Sequence, residues 1–143
     1  MELETITENQ KVKAAKKIKK MFGHIDYRNP PEVCPIRHIM SLATDKWSIL
    51  ILLNLGFFPS LRFNRLKRYV YGISAKVLSE RLKNLEMDGY ISRTMYPEVP
   101  IRVEYELTDF GQSFLMRILD MAEWSEKYSK RIIENRQRYL SKN

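Results

Sequence analysis

Residues 72–89 read GISAKVLSERLKNLEMDG, and the fold class follows from them. Leu78, Leu82 and Leu85 stand at i, i+4 and i+7, on one side of a 3.6-residue period. Lys76, Ser79, Glu80 and Lys83 fall on the other side. Gly72 supplies a permissive turn and Ser74 a hydroxyl that can cap the first N–H groups. Gly89 closes the run, as glycine does at a helix C-terminus. The stretch is therefore expected to be an amphipathic helix with a polar, partly basic face outward. Just upstream, residues 62–71 (RFNRLKRYVY) make a shorter amphipathic segment on Phe63, Leu66 and Val70. Two short helices joined at Gly72 read as a helix-turn-helix, the second helix being the DNA reader. A core helix with a solvated face shows the same period, so charge has to separate the two readings.

Charge favours the reader. The 143-residue chain holds 25 Lys+Arg against 17 Asp+Glu, a formal charge of +8, with 44% hydrophobic residues. This is a globular composition with a basic surplus, which points to an anionic partner, nucleic acid first and a membrane surface second. Between Ser60 and Lys83 seven Lys/Arg face one acid, Glu80, so the surplus sits on the suspected reading unit. Residues 1–10 lack a basic and apolar leader pattern, and the longest apolar run, Ile49 to Leu53, is too short to span a bilayer. The single cysteine, Cys34, excludes an internal disulfide and fits a reducing prokaryotic cytoplasm. Cys34, His24 and His38 make no zinc pattern, and there is no glycine-rich phosphate loop. Neither an enzyme, a metal nor a cofactor is expected.

Outward from the reading unit the chain falls into three parts: a basic N-terminal extension (1–30), a central domain (31–127) and a basic C-terminal helical extension (128–143). Residues 1–10 are polar and expected to fray. Residues 11–22 (KVKAAKKIKKMF) carry six lysines at helical spacing. They read as a basic arm for phosphates or a partner subunit, as a partly formed solvated helix, or as a membrane-surface anchor with a thin apolar face. After Asn29-Pro30-Pro31 a helix starts at Cys34-Pro35, with Ile36, Ile39, Met40 and Ala43 on its apolar side. Thr44-Asp45 caps the next helix, Lys46 to Leu55, apolar on nearly all sides and expected at the centre of the core. Ser60-Leu61-Arg62 suits a very short strand. Beyond Gly89 the period changes to two over Tyr90–Met95 and Arg102–Leu107, joined by a proline-bearing connection. A hairpin in that place is a wing. Thr108-Asp109 caps a long helix with a broad apolar stripe including Phe114, Ile118, Met121 and Trp124. So small a domain leaves that stripe to be covered by a second copy or by its own core.

The architecture is thus mainly α with a small β-hairpin, a winged helix-turn-helix with additional N- and C-terminal dimerisation helices. Three stretches, CPIRHIMSLATDKWSILILLNL (34–55), RFNRLKRYVYGISAKVLSERLKNLEMDGYISR (62–93) and YPEVPIRVEYELTDFGQSFLMRILDMAEW (96–124), resemble the HxlR-type transcription regulators, relatives of the MarR group. The resemblance covers about two-thirds of the chain. It implies a homodimeric DNA-binding regulator without catalytic chemistry. Asp45 stands where the family often has glycine, and Tyr71 where proline often precedes Gly-Ile-Ser. The resemblance also brings in Cys34, since some HxlR-type proteins sense oxidants or electrophiles through a cysteine ahead of proline at this position. A helix N-terminus with Arg37 and His38 nearby favours the reactive thiolate, whereas a buried, inert cysteine is the alternative.

Residue roles follow from duplex geometry. Ser74, Lys76, Ser79, Glu80 and Lys83 are the candidates for base edges in the major groove, with Ser74 equally suited to act only as a cap. Arg62, Arg65 and Arg68 suit phosphates. Arg93 and Arg102 flank the wing loop, where one could enter a minor groove or pair instead with Glu98 or Glu104. Arg81, at the edge of the apolar seam, is expected to pair with an acid such as Glu86. The partners implied are double-stranded DNA, a second copy of the chain and a small-molecule or oxidant effector, and no membrane. A winged helix that binds protein rather than DNA is the rival function.

Overall fold

The computed structural model describes residues 4–22 and 40–142. Cys34, His24, His38 and most of the helix expected after Pro35 lie outside them. Two compact units divide the chain, residues 1–44 and 45–143.

In the first unit, α1 (Glu8–Phe22) and the short α2 (Ser41–Ala43) are helical. Thr7 and Gln10 close a capping box: the Gln10 N–H donates to Thr7 Oγ1 at 3.2 Å and the Thr7 N–H to Gln10 Oε1 at 2.8 Å. Those two bonds start the helix at Glu8, so residues 8–10 do not fray as their polarity suggested. Every residue from Glu4 to Met21 is exposed.

The second unit is built around α3 (Lys46–Phe57), whose Ile51, Leu52 and Leu55 are buried. Asp45 caps it, accepting from the Ser48 N–H at 3.0 Å. Against α3 pack α4 (Phe63–Tyr69), α5 (Ala75–Met87), the hairpin strand β2 (Arg102–Leu107) and α6 (Asp109–Lys142). Leu66 and Val70 anchor α4, and Leu78, Leu82 and Leu85 anchor α5, as the spacing required. Gly72 and Gly89, which bracket α5, both take left-handed φ values (+85° and +84°), so each turn needs a residue without Cβ. β1 (Ile91–Tyr96) pairs antiparallel with β2 in a register running from Ile91↔Leu107 to Tyr96↔Arg102. Leu61 adds the short third edge, exchanging backbone hydrogen bonds with Tyr105 at 3.0 and 2.9 Å.

Helix α6 begins where the Thr108 hydroxyl accepts from the Gly111 N–H at 3.0 Å and donates to the Gly89 carbonyl at 2.6 Å. Gly111 is needed there: a Cβ would lie 1.9 Å from the Tyr90 carbonyl oxygen. The helix runs unbroken for 34 residues, roughly 51 Å at 1.5 Å per residue, and crosses position 128 without a break. No helix among the described residues is long and apolar enough to cross a membrane.

Candidate nucleic-acid interface

Seating α5 on its three leucines fixes which side chains it presents. Lys76, Ser79, Glu80 and Lys83 are all exposed, on the side opposite Leu78, Leu82 and Leu85. Asn84, one turn after Glu80, is also exposed beside them, and the same period could have identified it; its amide suits adenine N6/N7. Ser74 is the N-cap of α5, accepting from the Val77 N–H at 3.1 Å, and remains exposed. Its hydroxyl is thus committed as an acceptor to the helix while its proton stays available.

One contact that holds α5 in place was not visible in the pattern. Arg81 pairs with Asp45 on the lead-in to α3, Nε to Oδ2 at 2.9 Å, rather than with Glu86. Asp45 thereby serves two helices at once, as cap of α3 and as anchor of α5. Burial pushes its carboxyl up, but the side-chain and backbone hydrogen bonds from Ser48 and the charge of Arg81 outweigh that and hold it below the usual value of 3.8. The residue that departs from the family's common glycine therefore acts behind the exposed face, not on it.

The cations of α4 divide. Arg68 is exposed. Arg65 is exposed too, but its guanidinium donates to the Tyr69 hydroxyl at 2.9 Å and lies 5.6 Å from that ring's centroid. Tyr69 in turn stacks on Phe58, centroids 4.9 Å apart. Arg62 reaches Glu104 at 3.8 Å with its side chain 58% exposed.

In the wing, Arg93 is exposed on β1 whereas Arg102 is occupied. Its Nη2 meets Glu98 at 3.0 Å, its Nη1 meets Glu104 at 3.1 Å, and its guanidinium carbon sits 3.8 Å from the Tyr96 ring centroid. Ser60 also donates to Glu104, at 3.2 Å. Arg102 thus clasps the wing loop to β2, which is the ion-pair option for this residue and leaves Arg93, among the described residues, as the wing's open cation.

Of the four residues expected at a dimer surface, Ile118 is buried in the chain's own unit and Phe114 is half-buried with its ring 5.1 Å from that of Tyr90. Met121 and Trp124 stay 53% and 59% exposed. Among the described residues no group of three His, Cys, Asp or Glu could hold a metal ion.

The family model described as HxlR-like helix-turn-helix matches residues 42–133. The HTH-type transcriptional regulator YtfH of Escherichia coli K12 is 39% identical over 95 residues, 66% of this chain and 75% of that protein. Among solved structures, the transcriptional regulator ytfH of Salmonella typhimurium superposes with a TM-score of 0.65 at 36% identity, covering 75% of this chain and 95% of that one. The redox regulator HypR in its reduced form superposes with a TM-score of 0.64 at 30% identity, covering 70% and 98%. A helix-turn-helix followed by a two-stranded wing, matched along these lengths, makes this a DNA-binding transcription regulator of the winged-helix class. The chain belongs to the HxlR family.

Proposed function

We propose that the chain acts as a homodimer on a pseudo-palindromic duplex site in a prokaryotic cytoplasm, with α5 in the major groove. The observation that carries the reading is the division of α5 into a buried leucine seam and an exposed face of Lys76, Ser79, Glu80 and Lys83. Lysine donates to guanine O6/N7, and the glutamate accepts from cytosine N4. Arg62, Arg65 and Arg68 neutralise phosphates, and Arg93 extends the contact from the wing. A single helix reads too few base pairs to be selective in a genome, so two copies related by a two-fold axis are required, with half-sites about one helical turn (~34 Å) or a multiple apart. Met121 and Trp124 on α6 form the centre of the surface between the copies, and exposed Ile132 continues it.

Selection of the purified protein against a random duplex pool at near-physiological salt tests this directly. Enrichment of a two-fold symmetric motif is expected. Binding without any enriched motif would leave a protein-interaction module as the better account. A response to oxidants or electrophiles through Cys34 is the second reading, favoured by the similarity to a redox regulator. With one cysteine, the switch is alkylation, S-thiolation or a Cys34–Cys34 bond between copies. A thiol oxidant should change DNA affinity of the wild type and not of Cys34→Ser; equal behaviour of the two would end this reading.

A further inference from the structure

The N-terminal helix lies outside the matched family region and carries a charge pattern the reading unit does not account for. Lys13, Lys16, Lys17 and Lys20 stand at i, i+3, i+4 and i+7, so four ammonium groups converge on one face over roughly 10 Å of axis. The single acid of the helix, Glu8, is taken by Lys11 at 2.6 Å, off that face. The capping box forms the helix and all the lysines are exposed.

We propose that this tetralysine face is a second duplex-DNA contact, indifferent to sequence, that extends the footprint of the winged helix. It rests on the DNA-binding reading above and adds to it a contact with phosphates alone. Each strand of duplex DNA offers one negative charge per ~3.4 Å of axis, a density that four lysines over roughly 10 Å match without any base-edge geometry. Lys13/Lys17 and Lys16/Lys20 are like-charge i, i+4 pairs that weaken the free helix and are relieved when phosphates neutralise them. A membrane surface fits the helix less well. Its larger exposed apolar residues, Val12, Ile18 and Met21, lie on the side away from the four lysines, but Lys11 and Lys19 interrupt that side. The covalent link supplies the second contact at high local concentration once α5 is seated, because 24 residues separate Lys20 from Asp45 and bound the reach at about 90 Å.

The test uses the full chain carrying Lys13→Gln, Lys16→Gln, Lys17→Gln and Lys20→Gln together, with the four Lys→Arg changes as the charge-preserving control. Glutamine and arginine are both good helix formers, so the helix itself is kept. Affinity for the selected duplex and for an unrelated duplex is measured from 50 to 200 mM salt. For each arm of the dimer whose four lysines reach phosphates, the log–log salt slope of the Gln variant is shallower by about 3.6, which is roughly a hundredfold in the affinity lost across that range; two engaged arms double the change in slope to about 7.2. The selected-over-unrelated ratio should not move, and the Arg variant should follow wild type. Identical slopes for wild type and the Gln variant, with DNA binding intact, would overturn the arm alone. Loss of duplex binding by wild type itself would instead remove the DNA reading beneath it. Retention of wild type on vesicles rich in anionic lipid, lost in the Gln variant while DNA slopes coincide, would assign the face to a membrane and overturn the proposal.

Discussion

Asp45 and Arg102 tie elements together, behind the exposed face of α5 and within the wing. The Asp45 carboxylate accepts from Ser48 and from Arg81, so its charge is shared between the start of α3 and the middle of α5. Its pKa is depressed in the folded chain, which means the unfolded chain binds the proton more readily. The stabilisation is therefore present above the ordinary carboxyl value of 3.8 and is lost as pH falls through the lower folded value. Asp45→Asn keeps a capping side chain but removes the charge, and should cost about 1–2 kcal/mol at pH 7. The gap from wild type should close only below pH 3.8, as pH falls through the lower folded value and the folded wild type also becomes neutral. Urea unfolding across pH checks this; a gap independent of pH would mean that Arg81 does not depend on the charge. Arg102 has a different task. Removing its guanidinium leaves Glu104, a mostly buried carboxylate, with only Ser60 and the distant Arg62 among the described residues. Arg102→Met should destabilise by about 1–3 kcal/mol and weaken binding to all duplexes alike, since the clasp orders the wing without reading bases. A changed sequence preference would place Arg102 in a groove instead.

At the scale of elements, two glycines set how closely α6 approaches. A Cβ at Gly56 on α3 would meet Leu115 Cδ2 at 2.3 Å, the far end of a side chain that can turn away. At Gly111 the obstacle is the Tyr90 carbonyl, which is backbone leading into the wing. Gly111→Ala should therefore cost at least 3 kcal/mol or prevent folding, whereas Gly56→Ala should stay within about 1–3 kcal/mol. Thermal unfolding of the two variants side by side decides it, and equal losses would show that α6 tilts freely at its start. Because the same helix closes the core and carries the exposed Met121 and Trp124, its angle at Gly111 also sets where a second copy would meet it.

For the whole molecule, the length of α6 is the decisive quantity. Its first third covers the core through Leu115 and Ile118, and the remainder buries Tyr128 but keeps Met121, Trp124, Ile132, Ile133, Tyr139 and Leu140 exposed. A helix with that much exposed apolar surface calls for a partner, which is the physical reason for the homodimer proposed. Trp124→Glu puts a charge at the centre of the stripe and should raise the dimer dissociation constant at least tenfold, with no loss of thermal stability beyond that of the dissociated wild type. Sedimentation equilibrium measures it, and an undiminished dimer would move the interface elsewhere.

The element order from α3 onward, the leucine seam of α5, the capping roles of Asp45 and Ser74, the hairpin and the long last helix were all legible in the sequence. Each is written in local spacing: a 3.6 or 2.0 period, a cap residue, or a glycine where φ must be positive. The exposed face of α5 followed from the same period. Local spacing could not assign Arg81 to Asp45, thirty-six residues away, or tie Arg102 to Glu98 and Glu104 in preference to a groove. It could not divide the apolar stripe of α6 either, giving Ile118 to the core and leaving Met121 and Trp124 outside. Periodicity determines which side of an element is apolar. What that side meets, and which charge finds which countercharge, depends on distances between elements that exist only once the chain has packed.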